Sequence, residues 1–268
     1  MSLKKVLAGT IPPEKLALFS DRFEVIGDIA LITIPPELDA YQEDIALALI
    51  SQRRNIRTVL RRSGMAAGEE RVVPYEVIIG SGTRTEHREY GFRYQLDVAT
   101  VFFTSRLATE RMRVTELVSA GERILVPFPG VGPFVVPAAD RGARVVAVEK
   151  HPAACCWLHR NLALNRVSDR VEVICDDAFR IPDLTSPGFD RVISPTPYGL
   201  DGILPLLSAM TLSGGTIHFY TFKKDQEIDL LSRQLSAMGL RPVSHHRCGY
   251  VAPGVGRYVF DLEKEREP

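Results

Sequence analysis

The apolar residues follow two different rhythms along the chain. From Ala120 onward, short apolar runs alternate with stretches of helical period. Arg123–Phe128, Arg144–Val148, Val171–Cys175, Asp190–Ile193, Thr216–Tyr220, Arg241–His245 and Arg257–Leu262 read as seven strands. Pro133–Arg141, Pro152–Asn165, Leu200–Met210 and Gln226–Met238 read as helices, the proline at 133 being tolerated in a first turn. Strands separated by helices imply right-handed βαβ units and a mostly parallel sheet covered on both faces. The last two strands have no helix between them, which fits an antiparallel end.

Before Ala120 the rhythm is mixed. Phe23–Ile34 is strand-like with a turn at Gly27-Asp28, and Pro35-Pro36 ends it. Tyr41–Leu60 reads as a helix with Ile45, Ala48, Leu49 and Gln52 on one face. Met65–Glu70 reads as a loop, Val72–Ile79 as a strand, and Glu89–Phe103 as a hairpin bridging two domains. The expected organisation is a small α+β domain over residues 1–85 and a Rossmann-like α/β domain over 86–268.

Composition narrows the class. The chain has 268 residues, 45% hydrophobic and 25% charged, as in a soluble globular protein. No run approaches the length of a membrane span, and Met-Ser-Leu-Lys-Lys is not followed by the apolar core of a signal peptide. Cys155, Cys156, Cys175 and Cys248 lack metal-ligand or disulfide spacing, so reduced thiols and a cytoplasmic location are expected. His245-His246 with Cys248 is not read as a metal site, because no second ligand group sits at the usual spacing. The formal net charge of zero argues against wholesale nucleic-acid coating but not against a local basic stripe.

The candidate chemistry lies after the strands of the second region, where open parallel sheets bind ligands. Phe128-Pro-Gly-Val-Gly-Pro-Phe134 follows the first strand, and Gly130 and Gly132 permit a tight turn and a close ligand. Glu149 closes the second strand, where its carboxylate can accept from both hydroxyls of a ribose; the alternative is a solvated acid paired with Lys150. Past the third strand, Asp176 or Asp177 is placed to accept from an adenine amino group, with Ala178 or Phe179 flanking the ring. Ser194-Pro-Thr-Pro-Tyr198 follows the fourth strand, where a target atom would meet the cofactor. A dinucleotide oxidoreductase would want a third glycine at 135, but the residue is Val135. With the paired strands at the end, this favours a class I S-adenosylmethionine (SAM) transferase.

Several segments together resemble the archaeal and eukaryotic tRNA (guanine-37, N1) methyltransferases and their wybutosine-pathway relatives, which transfer an aminocarboxypropyl group. They are Phe103-Thr-Ser-Arg-Leu-Ala-Thr-Glu-Arg111, Phe128–Phe134, Ala147-Val-Glu-Lys-His-Pro152, Asn161-Leu-Ala-Leu-Asn165, Gly215-Thr-Ile-His-Phe-Tyr-Thr-Phe222 and Tyr250-Val-Ala-Pro253. The resemblance implies a class I SAM-dependent fold with a small preceding domain, and SAM bound by Phe128, Gly130, Gly132, Glu149, Lys150, Asp176, Asp177, Ala178 and Pro197. It also implies methyl transfer to guanosine 37 of tRNA, with Glu110 as general base for the N1 proton. Arg71, in Gly68-Glu-Glu-Arg71, is the implied clamp on the charge that grows on O6. Otherwise Glu110 is a helix-start acid paired with Arg113 or Arg106, and Arg71 a surface arginine. A further N-terminal domain, used by some archaeal members on the tRNA elbow, is not expected here.

Two departures stand out. The family's acid near the end of the first strand is Val126, and its Asn-Leu-Pro after the fourth strand is Pro195-Thr-Pro197. They leave open a divergent methyltransferase, aminocarboxypropyl transfer to a wyosine-type guanosine derivative, or a non-catalytic tRNA-binding paralogue. For RNA, Ser51–Arg62 carries five arginines and no acid, with Arg53, Arg54, Arg57 and Arg61 expected on one helical face. Arg106 is a further candidate phosphate contact, and Tyr198 can stack on an extruded base or simply pack. A monomer acting on the anticodon loop, with no membrane and no metal, completes the expectation.

Overall fold

The computed structural model describes residues 2–64, 73–252 and 254–266. The chain divides into two compact units, Met1–Ser105 and Arg106–Pro268.

The first unit begins with two short helices, α1 (Leu3–Leu7) and α2 (Pro13–Leu18), and has one longer helix, α3 (Gln42–Gln52). Its sheet runs β1 (Phe23–Ile26), β2 (Ile29–Ile32), β3 (Thr58–Arg62) and β4 (Tyr75–Ile79), with only β2 and β3 parallel. The turn expected at Gly27-Asp28 is present. Gly27 has φ +59°, and a Cβ there would lie 2.1 Å from Thr85 Oγ1, so glycine is required. Ile45, Ala48 and Leu49 face the core, as their spacing predicts.

The helix does not continue to Leu60. Arg53 leaves helical geometry while its N–H still bonds to the Leu49 and Ile50 carbonyls. The β-branched Thr58 and Val59 then pair with Ile29 and Ala30 of β2, the extended backbone their side chains favour. The hairpin also shifts: it is β5 (Arg84–Glu89) and β6 (Phe92–Asp97), turning at Tyr90-Gly91 within the first unit. Met65–Glu70, expected as a loop, lies outside the described residues.

The second unit opens with α4 (Ala108–Glu116). It then alternates β7 (Arg123–Pro127), α5 (Val135–Asp140), β8 (Arg144–Val148), α6 (Pro152–Leu164), β9 (Val171–Ile174) and α7 (Ile181–Leu184). β10 (Phe189–Ser194), α8 (Leu204–Met210), β11 (Thr211–Lys223), α9 (Ile228–Ala237), β12 (Leu240–Ala252) and β13 (Val255–Lys264) complete it. The seven-stranded sheet has the order β12-β13-β11-β10-β7-β8-β9. The five strands from β11 to β9 are parallel, while β13 runs antiparallel to both β11 and β12. The order reverses at β7, whose neighbours are β8 and β10, so the switch-point crevice lies past the carboxyl ends of these strands.

Alternation along the strands sorts residues between two faces. Leu125, Val192, Ile217, Phe219 and Phe260 join Leu207 of α8 and Leu235 of α9 in one core. His218, Tyr220 and Asp261 therefore turn to the other face. Among the described residues no helix is long and apolar enough to cross a membrane.

Candidate functional site

At the carboxyl end of β7 the backbone enters positive φ three times, at Phe128 (57°), Gly130 (57°) and Gly132 (95°). Phe128 bears this conformation without glycine's freedom and packs its ring against the core. The turn is clamped from below by Asn161 of α6, fully buried, whose Nδ2 donates to the Val131 carbonyl at 2.9 Å. α5 then starts on the Gly132 carbonyl, which accepts from Val135 and Val136 N–H.

Glu149, just past β8, turns its carboxylate toward this loop. Oε2 accepts from Gly130 N–H and Oε1 from His151 N–H, each at 2.9 Å. Each oxygen keeps a second lone pair, so the group is both fixed and able to accept two ligand hydroxyls. Lys150 reaches across to Asp177 at 3.4 Å. Asp177 accepts from Phe179 N–H at 3.0 Å and so caps the short turn Ala178–Arg180. Asp176 instead binds Arg180 at 2.8 Å. Ala178 is buried and Phe179 exposed beside it. The Cys155 thiol lies 2.8 Å from that of Cys175 and donates to the Glu149 carbonyl, and burial pushes its pKa up. Val126 is fully buried in the sheet and places no carboxylate at the turn.

After β10, Thr196 is buried and bonded to Ser194, with Pro195 and Pro197 half-buried on either side. Tyr198 is 61% exposed and meets Phe222 edge-on at 5.5 Å.

Glu110, in the first turn of α4, is almost fully buried. Its Oε1 accepts from Arg113 Nη2 (2.8 Å) and the Tyr220 hydroxyl (2.7 Å). Its Oε2 accepts from Arg113 Nε (3.0 Å) and lies 2.9 Å from His246 Nε2. Burial alone would raise the Glu110 carboxyl, but the bonds from Arg113, Tyr220 and His246 outweigh it and leave its pKa lowered.

Arg113 also grips Asp261 at 2.7 Å, and Asp261 accepts from His218 and Ser244. Burial would raise Asp261 too, yet His218 and Arg113 hold it well below the usual carboxylate range. His218 meets Arg191 through Nε2 at 2.7 Å; an arginine can only donate, so Nδ1 carries the imidazole proton and gives it to Asp261. That makes His218 neutral, in keeping with burial lowering its pKa.

Strand register explains why these residues meet. His218, Asp261 and Ser244 are paired across β11, β13 and β12, and Tyr220, Val259 and His246 form the next row on the same face. Of this network, sequence assigns a role only to Glu110, with Arg113 as its partner; His218 and Tyr220 stand inside the Gly215–Phe222 segment with no role assigned. His218, Tyr220 and Asp261 carried one usable signal, polar groups alternating with Ile217, Phe219 and Phe260 on strands that are otherwise core. His246 enters only with His245 and Cys248, a grouping set aside as a metal cluster.

The remaining expectations fall elsewhere. Arg71 lies outside the described residues. Arg53, Arg54 and Arg57 are exposed around the turn after α3, and Arg61 sits on β3 bound to Asp39 at 2.7 Å, so the four do not form a helical face. Arg53 lies over the Phe23 ring. Arg106 is exposed at the start of the second unit.

Comparison with known proteins places this geometry. The TRM5/TYW2 methyltransferase domain matches residues 85–239, and the TYW2 N-terminal domain matches residues 3–83. The tRNA (guanine(37)-N(1))-methyltransferase Trm5b of Pyrococcus abyssi is 36% identical over 213 residues, 79% of this chain and 63% of that protein. Its crystal structure superposes with a TM-score of 0.85 at 31% identity, covering 96% of this chain and 79% of that one. The tRNA(Phe) (4-demethylwyosine(37)-C(7)) aminocarboxypropyltransferase of Pyrococcus horikoshii is 29% identical over 97% of this chain and 95% of its own length. The structure of aTrm5 with tRNALeu superposes with a TM-score of 0.86 at 25% identity, over 98% of this chain and 78% of that one. This chain thus spans less than two-thirds of the Trm5b relative and nearly all of the aminocarboxypropyltransferase. By domain match and by identity, the chain belongs to the TRM5/TYW2 methyltransferase family.

Proposed function

We propose that the chain transfers the methyl group of SAM to N1 of guanosine 37 in tRNA. One observation carries the reading: the Glu110 carboxylate is anchored beside Tyr220, whose ring packs on Phe134 (5.4 Å) at the exit of the glycine turn. A buried acid is thereby joined to the loop on which the family binds its cofactor.

The residues present fit SAM. Glu149 orients the ribose through the lone pairs left free by Gly130 and His151. Asp177 accepts from the adenine amino group, and Ala178 and Phe179 flank the ring. Phe128, Gly130 and Gly132 bring backbone close to the methionine end without the acid replaced by Val126, and Lys150 steadies Asp177. When bound, SAM supplies an electrophilic methyl carbon on a charged sulfur. Pro197 and Tyr198 border the target, with Tyr198 as a stacking surface for the extruded base. Loss of the N1 proton is driven from Glu110, and Arg71 is the proposed clamp on O6. Arg53, Arg54, Arg57 and Arg106 contact phosphates. The reading includes a monomeric, cytoplasmic enzyme.

A second reading is aminocarboxypropyl transfer to a guanosine-37 derivative. It is favoured by the TYW2 N-terminal match over residues 3–83 and by Pro195, which offers no side-chain hydrogen bond to a guanine edge. Calorimetric titration with SAM, then parallel incubations with unmodified tRNA and with tRNA carrying the wyosine-type guanosine-37 derivative, followed by nucleoside mass spectrometry, tests both. Methyl transfer yields 1-methylguanosine and S-adenosylhomocysteine; the second reading yields methylthioadenosine. A chain that binds no SAM at millimolar concentration defeats both.

A further inference from the structure

Two thiols meet beside the candidate cofactor site. Cys155 lies near the start of α6, where its N–H donates to the His151 carbonyl at 3.0 Å, and Cys175 directly follows β9. Their sulfurs are 2.8 Å apart, so a bond of about 2.05 Å needs a closing movement of less than about 1 Å. Cys155 is buried and Cys175 exposed, so one sulfur of the pair is open to a reagent and the other is held behind it. Burial and the contact with Cys175 push the Cys155 thiol pKa up, so Cys175 meets a reagent first and Cys155 closes on it. The neighbouring Cys156 is exposed, about 100° further round the helix. The pair also stands between the acids of the site. Cys155 Sγ donates to the Glu149 carbonyl at 3.2 Å, and Glu149 N–H donates to the Ile174 carbonyl at 3.0 Å. Asp176 and Asp177 follow Cys175 in the chain.

We propose that Cys155 and Cys175 form a reversible dithiol–disulfide pair whose closure weakens SAM binding. The effect on SAM rests on the cofactor reading above; the bond itself does not. A small-molecule disulfide is the oxidant. The Cys175 thiolate attacks one of its sulfurs, the reagent's S–S bond breaks, and one thiolate leaves. The Cys155 sulfur then bonds to the Cys175 sulfur, the mixed disulfide breaks, and the protons of both cysteines end on the two released thiols. The protein pair loses two electrons and the reagent gains them. Both protein sulfurs belong to one folded chain, so the second step is intramolecular and wins over a lasting mixed disulfide. Closure removes the S–H that binds the Glu149 carbonyl and draws the Asp176-Asp177 loop toward α6. A binding site needs its groups held within about 0.5 Å, so this movement is enough to disturb it.

The test equilibrates the whole protein with mixtures of oxidised and reduced glutathione, traps free thiols by alkylation and maps the peptides by mass spectrometry. A Cys155–Cys175 link is expected, reversed by dithiothreitol, absent in Cys175→Ser and retained in Cys156→Ser. Calorimetry should show SAM binding about 10-fold weaker in the linked protein and restored on reduction. Cys175→Ser should bind SAM equally under both conditions. Glutathione retained on Cys175 with no internal bond, a link through Cys156, or a linked protein that binds SAM as tightly as the reduced one overturns the proposal and leaves the functional reading standing. Reduced wild-type protein that binds no SAM overturns that reading, and the proposed control with it.

Discussion

Single carboxylates set most of the chemistry open to this molecule. Glu149 is held by two backbone N–H groups rather than by a cation, so its charge stays available to a ligand. Glu149→Ala is expected to weaken SAM binding about 10- to 100-fold by calorimetry, the loss of one or two charge-assisted hydrogen bonds. Glu110, Asp261 and His218 define a pH dependence of stability. Each has a folded-state pKa below its ordinary value (4.5, 3.8 and 6.5 respectively), so the unfolded chain binds more protons as pH falls. Stability from these groups is therefore complete above about pH 6.5, declines first through His218, and falls further once the pH drops below about 4. Urea unfolding across that range checks the sign. Asp261→Asn is expected to cost about 3 kcal/mol or more at neutral pH, since Arg113 and His218 lose a buried partner, and to flatten the acid limb.

At the scale of elements, the glycine turn between β7 and α5 is held at its tip and from beneath. Gly132 has φ +95°, and a Cβ there would lie 2.5 Å from Leu158 Cδ1 of α6. Gly132→Ala is expected to destabilise the fold by about 1–3 kcal/mol and to lower SAM affinity, measured by denaturant unfolding and calorimetry. This turn was legible in the sequence because glycines between an apolar strand and a helix admit few structures. The alternation of β7 to β13 with helices was legible for a similar reason, since strands such as Val145–Val148 are wholly apolar. Arg53–Arg61 misled because charge counts carry no period: arginine suits helix, turn and strand, and Thr58-Val59 decided the conformation. The network around Glu110 was illegible for another reason. Glu110, the His218–Tyr220 pair, His246 and Asp261 come from four separate elements, and strand register with the packing of α4 brings them together.

For the whole molecule, neutrality conceals uneven charge. The exposed Arg53, Arg54 and Arg57 of the first unit are expected to set the salt dependence of tRNA binding. Replacing them by alanine should reduce the slope of log K against log salt by roughly 0.7–0.9 per lost phosphate contact. Arg61→Ala should leave that slope unchanged, because its guanidinium already serves Asp39. Filter binding at several salt concentrations separates the two outcomes.

The sheet order also fixes a sequence of events during synthesis. The loops after β7, β8 and β9 leave the ribosome well before the closing hairpin β12–β13, which alone brings His246 and Asp261 to Glu110. A nascent chain therefore carries the loops proposed to grip the nucleoside early, while the polar row beside Glu110 stays incomplete until this last hairpin zips onto β11. On the proposed function, reactivity is the final property the growing polypeptide acquires.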